Sequence, residues 1–181
     1  MRRLLALALA AACCFATPAS SDYVIDQDQP SGPVYMAHFA QTGLAQSFMH
    51  TYPIISGAGI LLQAGVGSSD NVTIELWNLL PNQDGAEMLA SGSALGTQGQ
   101  WVDVYWDDVI ISPMATYYLV FTGNMTLGIA GDTDNPYPFG CVYANWNYME
   151  FPTFDYAFRT WYWRIVSPTR DQTWSEVKAL Y

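Results

Sequence analysis

Hydrophobic and polar residues alternate with a period of two in several short runs. In 71–77, Val72, Ile74 and Leu76 fall on one side and Thr73, Glu75 and Trp77 on the other. In 101–106, Val102, Val104 and Trp106 oppose Trp101, Asp103 and Tyr105. The run 116–122 is β-branched and aromatic throughout, the pattern of a strand buried on both faces, and 155–163 is a last aromatic strand. Residues of these types suit a pleated, half-buried surface. Turn chemistry separates the runs: the Gly/Ser/Asp/Asn segment 65–71, Pro81 to Gly85, Gly96 to Gly99, Ser112-Pro113 and Gly123-Asn124. Punctuation every 8–12 residues or so is the rhythm of an antiparallel sandwich. No helical period is sustained before residue 170, and strands do not alternate with helices as a parallel α/β fold requires. The pattern predicts an all-β antiparallel β-sandwich.

The two ends read differently. Arg2 and Arg3 precede a short apolar stretch, and Ala16-Thr-Pro-Ala19 supplies small residues before the chain turns polar at Ser20. That order is the grammar of a secretory signal peptide, residues 1–19, with cleavage after Ala19. Ala10-Ala-Ala-Cys13 also resembles a bacterial lipobox, which would anchor the mature chain through a lipid on Cys13. At the other end, Ser167 to Gln172 is polar and turn-prone. Thr173-Trp-Ser-Glu176 then fits a capping box, with Trp174, Val177 and Tyr181 on one helical face. Residues 167–181 are therefore expected to form a linker and a short C-terminal helix, outside a main domain spanning 22–166. The tail 173–181 resembles a short tag that closes many secreted bacterial proteins.

Within the main domain, Gln46-Ser-Phe48, 55–62, 72–77 and Leu89-Ala-Ser-Gly92 resemble the opening strands of a secreted bacterial jelly-roll domain. Trp101-Val-Asp-Val104, Ser112-Pro113, 116–121 and 155–160 match its second half. The chain is similar here, over about residues 34–163, to the galactose-binding-like β-sandwiches of extracellular bacterial proteins. The resemblance implies a jelly-roll topology and a place outside the cell. Many such sandwiches bind sugars, and others are structural or adhesive spacers.

Composition adds exclusions. With 51% hydrophobic and 15% aromatic residues the chain can bury a core, so it is not a disordered protein. Six Lys and Arg stand against 16 Asp and Glu, a net charge of −10, which repels nucleic acid. No cation occurs between Arg3 and Arg159. Arg159 is expected to pair with a carboxylate of the sandwich. No second apolar stretch is long enough for a membrane span; the best, 54–67, is broken by Ser56, Gln63 and four glycines. Loss of residues 1–19 would leave Cys141 as the only cysteine, so packing and not disulfides must hold the fold.

Three kinds of chemistry are candidates. A sugar ring stacks its C–H groups on an indole face while Asn, Asp or Gln take its hydroxyls. Tyr143, Asn145, Trp146, Asn147 and Tyr148 gather those residue types in one run and are the candidate ligand contacts, although aromatics equally fill cores and brace rims. Asp132, Asp134 and Asn135 place oxygens at a loop, as a calcium site would; an Asx turn is the other reading. Jelly rolls like those resembled here often carry a structural calcium. No catalytic motif is present. Glu75, Asp103 and Glu150 are the acids open to nomination for a small glycoside hydrolase, and the adjacent Asp107 and Asp108 should point apart in a strand. The sequence therefore favours an extracellular, non-catalytic protein that binds a glycan or a cell-surface partner through exposed aromatics. A structural or adhesive surface protein without a small ligand is the alternative, and a small hydrolase the least favoured.

Overall fold

The computed structural model describes residues 20–63, 67–123 and 127–166. The expected leader, the lipobox cysteine and the C-terminal helix lie outside these residues. Residues 23–164 form one compact unit; a second unit consists of the two chain ends, of which only residues 20–22 and 165–166 are described.

The described residues are all-β, in two antiparallel sheets packed together. The strands are β1 (Ser20–Gln29), β2 (Val34–His38), β3 (Ala45–Met49), β4 (Ile54–Gln63), β5 (Ser69–Trp77), β6 (Met88–Thr97) and β7 (Trp101–Ile110). They continue with β8 (Thr116–Gly123), β9 (Gly128–Asp132), β10 (Val142–Ala144), β11 (Met149–Phe151), β12 (Asp155–Tyr156) and β13 (Phe158–Val166). One sheet runs β1-β13-β4-β9-β12, with β2 also on β9 and β7 also on β4; the other runs β11-β10-β3-β8-β5-β6.

The alternating patterns place the strands as expected. Val72, Ile74 and Leu76 of β5 are fully buried, and Val102 and Val104 of β7 nearly so. They meet Phe48, Ile60, Leu62, Phe121 and Phe158 between the sheets. Each such side chain contributes about 1.5–3 kcal/mol by leaving water. Strand β8 is covered on both faces: Leu119 and Phe121 face the core, while Val120 joins Ala45 and Leu80 in a smaller cluster edged by Trp77, Tyr118, Tyr143 and Tyr148. The run 155–163 is split in two. Asp155-Tyr156 pairs with β9 and Phe158 onward pairs with β4. Ala157 at the break keeps both backbone groups bonded, donating to Ala130 O and accepting from Leu61 N, each at 2.9 Å.

Two polar clasps hold the layers where apolar contact does not. Gln46 of β3 donates from Nε2 to Asp155 Oδ1 on β12 at 2.9 Å and accepts from Tyr156 N at 2.9 Å. Asp155 Oδ2 accepts from Tyr137 N at 3.1 Å, so every arm of this fully buried group has a partner. The second clasp ties β1 down. Asp26 Oδ2 lies 3.0 Å from His50 Nδ1 and accepts from Thr51 N at 2.7 Å. His50 Nε2 faces Ile54 O at 2.9 Å, and Nδ1 also lies 3.1 Å from Thr160 Oγ1.

Candidate functional site

The candidate run lies between β10 and β11. Tyr148 N donates to Asn145 O at 3.2 Å, closing a four-residue turn with Trp146 and Asn147 in the middle. Asn145, Asn147 and Tyr148 have φ of 67, 65 and 52°. Asparagine tolerates this left-handed region; for tyrosine it is a strained outlier that surrounding contacts must hold. Those contacts are present. Asn82 Nδ2 donates to Asn147 Oδ1 at 2.8 Å and to its backbone oxygen at 3.1 Å. Gln41 Nε2 reaches Asn145 Oδ1 at 3.4 Å from the other side. The Tyr148 ring is seated beside Leu80 on the outer face of the six-stranded sheet, and Tyr143 meets Tyr118 edge-on with centroids 5.7 Å apart. Burial pushes the hydroxyl pKa of Tyr143 and Tyr148 up, with the Cys141 contact adding for Tyr143 and Glu75 for Tyr148.

The outcome is a rigid turn whose tip points away from the protein. Trp146 is 88% exposed, the highest value among the exposed large hydrophobic side chains. Of the five predicted contacts, Trp146 is therefore free for a partner, Asn145 and Asn147 shape the turn, and Tyr143 and Tyr148 are half-buried props. Gly43 is part of the mount. It has φ 67°, and a Cβ there would lie 2.3 Å from the Asn145 carbonyl oxygen. Gly43→Ala is expected to lower stability by about 1–3 kcal/mol and to shift the turn, read from a urea titration and from Trp146 fluorescence.

Asp132, Asp134 and Asn135 form a turn of their own. Asp132 Oδ1 accepts from Asp134 N at 3.1 Å and Oδ2 from Ser31 Oγ at 2.5 Å, hydrogen bonds that hold its carboxyl below the usual range. Asn135 has φ 51°, and its N donates to Thr153 O at 2.8 Å. The Asp132 carboxylate is thus engaged in closing its loop, as an Asx turn does. Among the described residues no group of three or more His, Cys, Asp or Glu is placed to hold a metal ion.

The acids open to nomination are dispersed. Glu150, Tyr143, Ala45, Val120 and Glu75 stand in one register row across the six-stranded sheet. Four strand spacings put Glu75 and Glu150 about 19 Å apart at the backbone. Glycosidase carboxyl groups work at roughly 5–9.5 Å. Asp103 belongs to the other sheet. The expectation for Asp107 and Asp108 needs correction. Ile55 pairs with Val109 and Gly57 with Tyr105, so 106–108 bulge out opposite Ser56 alone. The bulge breaks the alternation, and both residues line the same two surface clefts beside Trp106. Ser56 Oγ donates to Asp108 Oδ1 at 2.6 Å and accepts from Trp163 N at 3.0 Å.

Sequence reasoning missed an assembly on the outer face of the seven-stranded sheet. There β4 runs between β7 and β13. Gly59 of β4 pairs with Asp103 on one side and Arg159 on the other, and Gly57 pairs with Tyr105 and Trp161. A Cβ on Gly59 would sit 2.1 Å from Asp103 Oδ1. Its absence lets Asp103 and Arg159 meet across the strand in a bidentate pair, Nε to Oδ1 at 2.8 Å and Nη2 to Oδ2 at 2.5 Å. Trp161 Nε1 adds a bond to Asp103 Oδ1 at 3.1 Å. The guanidinium lies over Trp101 and Trp161, 4.3 and 5.0 Å from their ring centroids. Donating these hydrogen bonds to Asp103 raises the Arg159 pKa further. Rings continue from there: Trp161 to Tyr105 at 5.9 Å, Tyr105 to Tyr23 at 4.2 Å and Tyr23 to Trp163 at 4.7 Å. The signal in the sequence was the spacing Trp101-x-Asp103-x-Tyr105 against Arg159-x-Trp161-x-Trp163, one face of each strand. Only the strand order brings the two together.

Fold and surface together define an all-β sandwich with one braced, solvent-facing tryptophan turn and one ring-lined sheet face. No known family model, curated protein or solved structure matches the chain.

Proposed function

We propose that this sandwich, of jelly-roll type, works outside the cell as a non-catalytic protein that binds a glycan or a cell-surface partner. The observation that carries the reading is Trp146, 88% exposed at the tip of a turn locked from both flanks. A solvent-facing indole gains nothing for the fold, and holding the backbone of its turn lowers the entropy cost of ordering it on a partner. Asn145 and Asn147 beside it carry amides suited to hydroxyls. The signal-like leader supports action after export.

Trp146→Ala is expected to abolish binding to at least one glycan that the wild-type chain holds on a glycan array, while stability in urea changes by less than about 0.5 kcal/mol, the norm for an exposed position. A glycan-array profile unchanged in every glycan by the folded variant would remove the reading. The half-buried Tyr143 and Tyr148 favour a second one, a structural or adhesive surface protein without a small ligand. It predicts no retention of the wild-type chain on any glycan.

A further inference from the structure

The aromatic assembly on the seven-stranded sheet stands apart from the Trp146 turn, and its composition specifies a ligand. Along β7 the outward residues are Trp101, Asp103 and Tyr105; along β13 they are Arg159, Trp161 and Trp163. Each set repeats every second residue, about 6.7 Å, so the rings form a ribbon and not a single contact. Tyr23 of β1 extends it beyond Tyr105. Tyr105 is 44% exposed, and the Asp103 and Arg159 side chains are each 20% exposed, so the polar centre is open at its rim.

That centre retains bonding capacity. The ion pair uses Arg159 Nε and Nη2, two nitrogens of a five-donor fork. Among the described residues Asp103 Oδ2 accepts only from Arg159 Nη2, and a carboxylate oxygen has room for a second donor. A donor edge and an acceptor therefore lie side by side, flanked by indole rings. Neighbouring hydroxyls on a sugar are the matching group: one gives its proton to the carboxylate and the next accepts from the guanidinium, while the C–H face of the ring lies on an indole. Charge narrows the choice. Asp103 and Arg159 cancel one another, and the chain carries −10 overall, so an anionic polymer is repelled.

We propose that the outer face of the seven-stranded sheet binds a neutral polysaccharide chain, its sugar rings on Trp101, Trp161 and Tyr105 and a pair of neighbouring hydroxyls on Asp103 and Arg159. The chain lies along the strand direction, where the ribbon is longest. This site is independent of Trp146, and either can fail alone. Gly59 is a positioning residue for it, because a side chain there displaces Asp103.

Native electrophoresis of the full chain through gels containing hydroxyethylcellulose, galactomannan or laminarin tests the proposal, with polygalacturonate as the anionic control. Retardation by at least one neutral polymer is expected, and none by polygalacturonate. Tyr105→Ala and Trp161→Phe should each weaken the effective affinity about tenfold or less, the range of one lost stacking contact. Asp103→Asn should weaken it further and Trp146→Ala should leave it unchanged. Near-ultraviolet circular dichroism reports folding; if Trp161→Phe is misfolded, the more exposed Tyr105→Ala carries the test. The proposal is overturned if no neutral polymer retards the folded chain, if polygalacturonate retards it equally, or if only Trp146→Ala removes the retardation. It is also overturned if sedimentation finds a dimer that Tyr105→Ala dissociates, which would give the face to a second copy.

Discussion

Gln46→Leu is expected to destabilise the sandwich by about 3–5 kcal/mol, although leucine is close in size and more hydrophobic. Gln46 is fully buried between the sheets, and its amide serves both of them. Its Nε2 donates to Asp155 Oδ1 and to Ser47 O, and its Oε1 accepts from Tyr156 N. Among the described residues, leucine would leave the Asp155 carboxylate with Tyr137 N alone and would orphan the Tyr156 amide. Unpaired buried groups cost about 1–3 kcal/mol each, more where one is charged. Burial already pushes the Asp155 carboxyl upward against the hydrogen bonds from Gln46 and Tyr137 that lower it. Removing Gln46 removes one of those bonds, so the remaining charge is worse solvated at neutral pH than at low pH. The variant's deficit should therefore shrink on acidification as Asp155 takes up a proton. Urea titrations at pH 7 and near pH 4 measure both effects. A loss under about 1 kcal/mol at pH 7 would mean that water or backbone movement replaces the amide.

The legible part of this fold is the part with one wet and one dry face. Strands β5 and β7 declare themselves because Val72, Ile74, Leu76, Val102 and Val104 alternate with polar residues. Strand β8 is dense because both of its faces are covered. What stayed hidden lacked that contrast. β1 buries Gln29 and nearly covers the Asp26 side chain, so its inner positions read as polar and its burial depends on hydrogen-bond partners far away in sequence. β9 is buried at Gly128, Ile129, Ala130 and Gly131, with no alternation to detect. The same limit applies to the sites. The Trp146 turn was readable because its residues are contiguous. The Arg159–Asp103 assembly joins residues 56 positions apart through a strand belonging to neither, and its enabling residues are glycines, which carry no chemistry of their own. The Asp107-Asp108 bulge was unreadable for a simpler reason: an alternation argument presumes an unbroken ladder.

The second large effect concerns the clasp on β1. His50→Leu is expected to cost about 3–4 kcal/mol, since it deletes one partner of a buried pair and leaves the other behind. Both ring nitrogens of His50 face oxygens, Ile54 O on one side and Asp26 Oδ2 with Thr160 Oγ1 on the other. Leucine satisfies none of them. Asp26 also supplies the pH dependence. Burial raises its pKa, but the bonds from His50, Thr51 and Gln27 outweigh that and leave it below the ordinary carboxylate value. A carboxyl lowered in the folded state binds protons more weakly there than in the unfolded chain. Its contribution is complete above the unfolded value of about 3.9 and is lost as pH falls through the lower folded value. The part of the stability that Asp26 supplies should therefore fall on acidification below about pH 4, and Asp26→Asn should flatten that part of the profile while lowering stability at pH 7. A double-mutant cycle with His50→Leu and Asp26→Asn separates the pair from its surroundings. A coupling energy above about 1 kcal/mol is expected, because each change alone strands the partner that the other would remove. Additive losses would assign the cost to packing around His50, which Phe48 contacts edge-on at 6.4 Å, and would take the pH dependence away from the clasp.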